Sequence, residues 1–323
     1  MASAQGSIVV TSWGGAYQEA LRKALFEPFT KATGIKVIEQ SPTNYAKFKA
    51  MVESGNVEWD VVDVEGDFVL RGVRDNLLEK IDYSQLGVTK DDFLPGTAHD
   101  YGVPLIVFSQ VMAYDTRKIP AGKGPTSWAE FWDVKKFPGN RSLKKTPVYT
   151  LEAALLADGV PADKLYPLDI DRAFRSLDRI KPYVTAWWEA GAKPVQMLID
   201  GEATLVFQGN ARFQSIKKQG GPIDLVWAQG LQTYENWVIP RGSKRKEAAL
   251  KFIAFASTAQ AQADITKYYD YGPTRKESFK LLDPNAEIVT APALQRQQIL
   301  INHQYWFENF DRVNERFNQW LLR

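Results

Sequence analysis

The stretch Ser7-Ile8-Val9-Val10-Thr11-Ser12-Trp13-Gly14-Gly15-Ala16-Tyr17 decides how the chain folds. Its first six residues form a short apolar run that is typical of a buried strand. The next four residues predict a tight loop. From Tyr17 onward the apolar residues recur at helical spacing, and Gly34 has the place of the glycine that ends a helix. A strand, a loop and a helix therefore follow one another directly.

The same alternation continues downstream. Residues 35–39 predict a second strand, Tyr45, Phe48 and Met51 lie at helical spacing, and residues 59–62 enter a third strand that ends at residues 65–67. A βαβαβ order implies a parallel, doubly wound α/β sheet with its ligand crevice at the carboxyl ends of the strands. We therefore expect the loops 13–17, 41–44 and 64–67 to face one crevice.

Composition narrows the class of protein. The 323 residues exceed the usual size of one domain, and 45% of them are hydrophobic. The 40 basic and 38 acidic residues give a net charge of +2. So small a charge does not produce the strong positive potential that attracts nucleic acid or an anionic membrane. Cysteine is absent from the sequence, which excludes disulfides and thiolate sites. Met1 precedes Ala2-Ser3-Ala4-Gln5, and this small-residue start predicts a mature exported protein with an added methionine.

Two extended segments predict a discontinuous division of the chain. Residues 101–115 form one apolar crossover segment, and residues 237–240 form another. We expect one domain to comprise residues 7–112 with 237–283, and the other residues 113–236 with 284–323. Within the second domain, Ser127 and Glu130 predict a capping box, and the aromatic residues from 305 to 320 predict a terminal packing helix.

Several blocks together carry a family resemblance. They are Ser12-Trp13-Gly14-Gly15, residues 27–37, Trp59-Asp60-Val61-Val62, Pro125-Thr126-Ser127-Trp128, Asp200-Gly201-Glu202, residues 222–227 and Tyr271-Gly272-Pro273-Thr274. In this order they resemble the spermidine/putrescine-type periplasmic binding proteins, a family that includes a γ-aminobutyrate-binding branch.

The resemblance implies a fold and a function. The fold is the type II periplasmic binding protein clamshell, in which two doubly wound α/β lobes share a hinge of two crossover strands and close over a ligand. The function is that of a periplasmic, monomeric receptor for a small amine or ω-amino acid, which it delivers to the membrane permease of an ABC importer. An enzymatic activity, a cofactor, a metal and a nucleic-acid partner are not expected.

The resemblance also places the ligand pocket. The predicted ligand-binding residues are Trp13, Gly14, Gly15, Tyr17, Thr43, Glu65, Asp67, Phe108, Ser109, Thr146, Tyr149, Trp187, Gly209, Asn210, Arg212, Tyr234, Glu235 and Tyr271. Trp187-Trp188 is expected in a loop that faces the cleft, with at most one of the two rings on the ligand.

This chain departs from the polyamine-binding pattern in its charges. The loop that holds polyamine nitrogens with carboxylates falls on Thr146 and Tyr149, and a wall tryptophan falls on Gly209, close to Arg212. A polyamine needs acids at both ends, because each desolvated amine must meet a carboxylate or an aromatic face. A zwitterion instead places its amine on Glu65, Asp67 or Glu235 and its carboxylate on Arg212. A γ-aminobutyrate-like ω-amino acid is favoured, and a diamine is the alternative.

Two other classes of protein remain as rivals. An enzyme is disfavoured because His99 and His303 are far apart in the sequence and complete no triad, although a pair of carboxylates could serve a hydrolase. A ferric-ion receptor would use adjacent tyrosines such as Tyr268-Tyr269, but we expect this pair to pack in the helix before Tyr271.

Overall fold

A computed structural model describes residues 6–189 and 191–323, so the small-residue start at positions 2–5 lies outside the described residues. The chain divides into two compact units. Unit 1 contains the chain up to Val107 together with Thr233–Thr290, and unit 2 contains Phe108–Gln232 together with Ala291–Arg323. The sequence placed the corresponding borders after residues 112, 236 and 283. Each unit is therefore built from separate stretches of the chain.

Strands and helices alternate from residue 7 to residue 115. They are β1 (Ser7–Thr11), α1 (Gly15–Leu21), α2 (Glu27–Thr33), β2 (Lys36–Gln40), α3 (Tyr45–Ser54), β3 (Val61–Glu65), α4 (Gly66–Arg74) and β4 (Val103–Asp115). A π-helical turn at Arg22–Phe26 joins α1 to α2 without a break. Gly34 ends α2 in the left-handed conformation at φ 74°, so the prediction of its role is confirmed.

The same alternation continues through the rest of the chain. Its elements are α5 (Trp128–Trp132), β5 (Arg141–Lys144), α6 (Pro147–Ala157), α7 (Ile170–Ile180), β6 (Val184–Trp188), α8 (Ala192–Ile199), β7 (Leu205–Gly209), α9 (Asn210–Lys218), β8 (Ile223–Val238), α10 (Lys246–Ala256), α11 (Ala259–Ile265), β9 (Gly272–Pro273), α12 (Pro292–Gln295), β10 (Gln298–Leu300) and α13 (His303–Leu321). Strands β4 and β8 both run from one unit into the other.

Unit 1 has the predicted parallel sheet. β1 lies between β2 and β3 and is parallel to both, and β8 pairs with β3 in the antiparallel direction. In that last pairing Glu65 lies directly opposite Glu235. The core beneath this sheet includes Phe48, Trp59 and Phe68, all less than 5% exposed. The carboxyl ends of β1 and β3 therefore lie at the same edge, beside the middle of β8.

Unit 2 repeats the architecture. β5 is parallel to β6 and to β7, while β4 pairs antiparallel with β7. Its core is dominated by aromatic side chains, including Trp128, Phe207, Trp306 and Phe317, all of which are fully buried. Two of these rings, Trp306 and Phe317, come from α13, so the prediction of a terminal packing helix is confirmed.

Some predictions of local structure are wrong. Residues 237–240 were expected to form an extended segment of their own, but Trp237 and Val238 belong to one long strand, β8, which begins at Ile223. Gln229 takes a φ of 57° inside it, and Trp128 donates its indole N–H to the Gln229 carbonyl at 3.0 Å. Trp187-Trp188 lies in β6 and not in a loop.

The predicted capping box before α5 is only half formed. The Ser127 hydroxyl accepts the N–H of Glu130 at 3.2 Å, as expected. The Glu130 carboxylate, however, accepts from the N–H and the hydroxyl of Thr126, at 2.7 and 2.9 Å, instead of from Ser127. The return bond thus shifts by one residue towards the N-terminus, because the Thr126 hydroxyl gives the carboxylate a second donor there.

Candidate ligand-binding site

The loop after β1 places one indole ring at the edge of the sheet in unit 1. Gly14, at φ 78°, turns the chain, and a Cβ there would lie 3.1 Å from the Ser41 hydroxyl. Gly15 follows, also at positive φ, and begins α1. The Trp13 ring is half-buried and meets Tyr45 edge-to-face at 5.9 Å between centroids. One face of a large aromatic ring is thus held at this strand end.

Thr43 is a linker between strand ends and not an exposed polar contact. It is 7% exposed, and its hydroxyl donates to the Asp63 carbonyl at 3.0 Å. Its N–H donates to the Ser12 carbonyl at 2.9 Å. Thr43 therefore ties the loop after β2 to the ends of β1 and β3.

Acidic side chains converge at the end of β3 and the middle of β8. Asp63 and Glu65 point to the same side of β3, because side chains alternate along a strand. Asp63 is fully buried, Glu235 is 4% exposed and Glu65 is half-buried. The Tyr17 hydroxyl lies 3.0 Å from Asp63 Oδ2 and 3.1 Å from Glu235 Oε2. We call Asp63, Glu65, Glu235 and Tyr17 the acid cluster.

Burial dominates the electrostatics of the acid cluster. It raises the pKa of Asp63 to about 7 and raises the pKa of Glu235 well above its usual range. For Glu235, the neighbouring charges of Asp63 and Glu65 act in the same direction. The Tyr17 hydroxyl also has a raised pKa, first because it is buried and then because the carboxyl groups lie next to it. A cation brought to this cluster would relieve the repulsion among its acids.

Two aromatic residues lie beneath Tyr17. Its ring centroid lies 5.6 Å from that of Tyr269 and 5.5 Å from that of Tyr271. Tyr17 is 2% exposed and Tyr271 is 7% exposed. Tyr17 was predicted to contact the ligand; the structure shows it holding the acids, and Tyr271 supporting it. Direct ligand contact by either ring stays a prediction.

Asp67 has a partner within its own helix. It is 3% exposed and accepts from Arg71 at 2.7 Å, one helical turn further along α4. Its charge is therefore already compensated by an i, i+4 pair. Of the acids predicted to hold an amine, Glu65 and Glu235 thus belong to the acid cluster, whereas Asp67 is paired apart from it.

Tyr234 forms a second aromatic wall in unit 1. A Cβ on Gly66 would lie 2.6 Å from its ring, so only glycine lets the ring pack at that point. Its hydroxyl lies 3.0 Å from His99 Nε2. Burial lowers the pKa of His99, which favours a neutral imidazole beside the phenol.

In unit 2, Arg212 lies on the first turn of α9 and is half-buried. Gly209 ends β7, and the buried Asn210 starts the helix and accepts the Ser109 N–H at 3.0 Å. The Ser109 hydroxyl donates to Gln298 at 2.6 Å, and Phe108 beside it is 4% exposed. Within residues 6–189 and 191–323, no carboxylate forms an ion pair with Arg212. Among the described residues, the Arg212 guanidinium at this strand end therefore has no carboxylate counter-charge.

The last residue of β5, Lys144, adds another cation at the strand ends of unit 2. Thr146 precedes α6, and Tyr149 is fully buried at a φ of 70°. The Lys144 ammonium lies 4.6 Å from the centroid of Tyr149 and 5.7 Å from that of Trp188. The rings that were expected near the ligand here enclose a lysine of the protein itself.

Trp187 packs within unit 2. Its ring meets Phe317 and Trp320 of α13 edge-to-face, at 6.0 and 5.4 Å between centroids. Trp188, by contrast, is 3% exposed and lies 6.3 Å from Phe207. These contacts account for both rings as parts of the core, and a ligand contact for Trp187 stays a prediction.

Sequence reasoning missed Asp63, Tyr45 and Lys144 as parts of these sites. The alternation of Asp63 and Glu65 along one strand was a usable signal, since it places both acids on one face. Lys144 was likewise readable, because it lies two residues before Thr146, which was itself predicted to bind the ligand. The edge-to-face contact of Tyr45 with Trp13 depends on tertiary packing and left no local signal.

Metal binding and membrane insertion find no support in the parts of the chain that the structure describes. There, no group of histidine, aspartate and glutamate side chains is arranged to hold a metal ion. No helix in residues 6–189 and 191–323 combines the length and the apolar character needed to cross a bilayer. The tyrosine pair of the ferric rival lies beyond the end of α11 and not within it, with Tyr268 exposed and Tyr269 buried.

Two α/β units built from discontinuous stretches, each with its polar side chains at the strand ends, define the class of solute-binding receptors. Residues 24–296 match the family of bacterial extracellular solute-binding proteins, and the chain belongs to that family. It is a binding protein and not an enzyme, it works outside the cytoplasm, and it serves an ABC importer as the receptor that hands a small solute to the permease.

Individual relatives agree with this assignment. The chain is 40% identical to the gamma-aminobutyric acid-binding protein of Pseudomonas aeruginosa, over 98% of this chain and 91% of that protein. It is 26% identical to the spermidine/putrescine-binding periplasmic protein 1 of Haemophilus influenzae, over 99% of this chain and 89% of that protein. The solved structure of the Atu4243-GABA receptor is 41% identical, with a TM-score of 0.87 over 97% of each chain.

Proposed function

We propose that this receptor binds γ-aminobutyrate (GABA) or a closely similar ω-amino acid. The observation that carries the proposal is the opposite charge at the strand ends of the two units. Unit 1 collects carboxyl groups in the acid cluster, whereas unit 2 presents Arg212 without an internal carboxylate partner in the described chain. An ω-amino acid has one group for each. The GABA-binding relatives support the same ligand class.

The ammonium group is proposed to bind at the acid cluster. A desolvated ammonium needs acceptors for its N–H groups and a compensating negative charge. Glu65 and Glu235 offer both, and they lie directly opposite each other on β3 and β8. The half-buried ring of Trp13 adds an aromatic face at the same sheet edge, which suits the methylene groups and the cation.

The carboxylate is proposed to bind Arg212. A guanidinium donates two parallel N–H bonds to a carboxylate, a geometry that lysine does not offer. Arg212 also lies on the first turn of α9, where free backbone N–H groups and the helix dipole favour an anion. Both features act on the same charged group, so the carboxylate is expected to be required for tight binding.

A diamine is the competing ligand, and the charges of unit 2 disfavour it. Its second ammonium would arrive where the strand ends carry Lys144, Lys145 and Arg212. The nearby acid, Glu189, already pairs with Lys145 at 2.6 Å. A second cation would therefore meet repulsion from these three positive charges.

Calorimetric titration of the wild type and of Arg212→Ala with GABA and with putrescine tests the proposal. GABA should bind the wild type more tightly than putrescine. The substitution should cost GABA about 1.5–3 kcal/mol, the scale of a hydrogen bond to a charged group, while putrescine should be unaffected or bind better. Arg175→Ala, which removes an exposed arginine of α7, is the matched control and should change neither affinity. Equal losses for both ligands, or a preference of the wild type for putrescine, would refute the assignment.

A further inference from the structure

The acid cluster contains more hydrogen-bond acceptor oxygens than it has hydrogens to donate to them. The Tyr17 hydroxyl has one hydrogen, yet it lies at hydrogen-bond distance from both Asp63 Oδ2 and Glu235 Oε2. One O–H group cannot donate to both oxygens at once. Because both oxygens lie at hydrogen-bond distance from the same hydroxyl, the carboxyl groups of Asp63 and Glu235 are close neighbours in a buried place. This geometry favours one proton held on the pair, since two carboxylates so close together repel each other when both are ionised.

The surroundings of the acid pair do not provide another way to balance its charge. Asp63 and Glu235 face Tyr17 from α1 and Glu65 from β3, and Tyr271, from the segment after α11, lies against Tyr17. All of these groups are neutral or negative. In the described ranges, 6–189 and 191–323, neither Asp63 nor Glu235 forms an ion pair with lysine, arginine or histidine. Two adjacent carboxylates in such a place cannot both ionise without a cation.

Burial supports the same conclusion. Asp63 is fully buried and Glu235 is 4% exposed, so solvent does little to stabilise a second negative charge. The pKa of both groups is raised, with burial as the first cause in each case. Because the two carboxyl groups interact strongly, the proton belongs to the pair rather than to either residue.

We propose that the ligand-free receptor holds one proton on the Asp63–Glu235 pair and that the ammonium group of the ligand displaces this proton when it binds. The inference rests on the proposed function, because it needs a cationic ligand at the acid cluster. Asp63 then acts as a positioning residue: it orients Glu235 through the shared proton in the empty protein. In the complex, the ammonium N–H groups replace the acid O–H as donors. The pair loses one proton to solvent, its charge becomes one unit more negative, and the ligand's positive charge compensates.

Proton release makes the affinity depend on pH with a defined sign. If binding releases a proton, raising the pH favours the complex by mass action. Where the empty pair is protonated and the ligand amine is still charged, the affinity should rise by up to about tenfold per pH unit. A ligand amine titrates near 10, so this range includes neutral pH.

The direct experiment is calorimetric titration with GABA at pH 7 in two buffers whose ionisation enthalpies differ widely. The difference in observed heat gives the number of protons released for each ligand bound. We expect a value close to one for the wild type. In Asp63→Asn the value should fall below half, because the amide can donate to Glu235 and leave it ionised in the empty protein. A wild-type value near zero would overturn the inference whether or not the variant folds.

The control is Glu152→Gln. Glu152 is a fully buried acid of unit 2 whose pKa is also raised to about 7 by burial, but it lies outside the acid cluster. Its substitution should leave the proton count unchanged, and a loss of proton release in this variant would contradict the assignment to Asp63 and Glu235. If neither GABA nor putrescine binds, the proposed function fails. If GABA binds without proton release, only this further inference fails.

Discussion

The two units use the same arrangement of parallel strands but carry opposite charges at the strand ends. In unit 1 the ends of β3 and the middle of β8 bring Asp63, Glu65 and Glu235 together. In unit 2 the corresponding edge carries Lys144 and Arg212. The shared topology fixes where polar side chains gather, while a few substitutions at those places decide which chemical group is bound. The receptor fold alone therefore does not name the ligand, and the proposed ligand follows from the charge at each edge.

Glu235→Gln should have the largest effect on ligand affinity. It removes a carboxylate of unit 1 that is proposed to bind the ammonium group. Removing one partner of a buried, hydrogen-bonded charge pair costs about 2–5 kcal/mol, so affinity should fall by roughly 30-fold or more. GABA and putrescine should both be affected, unlike in the arginine variant, because both carry an amine. Calorimetry with both ligands checks this expectation. Glu79→Gln, which disrupts the outlying pair with Lys246, is the control and should leave both affinities unchanged.

The Glu152→Gln variant tests whether a buried acid outside the acid cluster contributes to stability and not to ligand binding. Glu152 accepts from the Trp306 indole and the Tyr166 hydroxyl, at 2.5 and 2.7 Å, and it joins α6 to α13. Burial raises its pKa to about 7, so the folded protein binds its proton more tightly than the unfolded chain does. This contribution to stability is present at pH 4 and is lost as the pH rises through 7.

The Glu152→Gln variant should therefore gain stability relative to the wild type as the pH is raised from 5 to 8, by up to about 3 kcal/mol for a shift of this size. Thermal melting of both proteins at the two pH values measures the change. A constant difference between them would contradict the shifted titration. A loss of GABA affinity in the variant would show that unit 2 contains an acid relevant to the ligand, which would weaken the contrast between the units.

Substitutions of two tryptophans should separate an effect on ligand affinity from an effect on stability. Trp13→Ala removes the half-buried ring beside the acid cluster and should weaken GABA binding by about 1–2 kcal/mol, with little change in melting temperature. Trp187→Ala removes a ring that packs against Phe317 and Trp320, so it should destabilise the protein by about 2 kcal/mol and leave the affinity intact. The reverse pattern of effects would show that the ligand contact predicted for Trp187 is real.

Much of the fold was readable from local patterns. The strand, glycine loop and helix at residues 7–33 follow from apolar spacing, and Gly34 follows from the need for a left-handed residue at the helix end. The continuous β8 was not readable. It contains the left-handed residue Gln229, whose carbonyl Trp128 binds from a distant part of the sequence. Local patterns do not report such a contact.

The candidate site was predictable in its charged residues more than in its aromatic ones. Glu65 was expected at the end of a strand, and the structure has it there, whereas Glu235 lies within β8 and Arg212 on the first turn of α9. Tyr17 was expected to contact the ligand directly, but its hydroxyl bonds to two carboxyl groups that are far away in sequence. The pairing of Asp67 with Arg71 could have been anticipated, since the two lie four residues apart in one helix.

A crystal structure of the receptor with GABA bound tests the central claim most directly. The account predicts that the amine nitrogen lies about 2.7–3.2 Å from a carboxylate oxygen of Glu235 or Glu65 and that the ligand carboxylate accepts two N–H bonds from Arg212. A GABA molecule in the reverse orientation, or one bound away from both the acid cluster and Arg212, would contradict it.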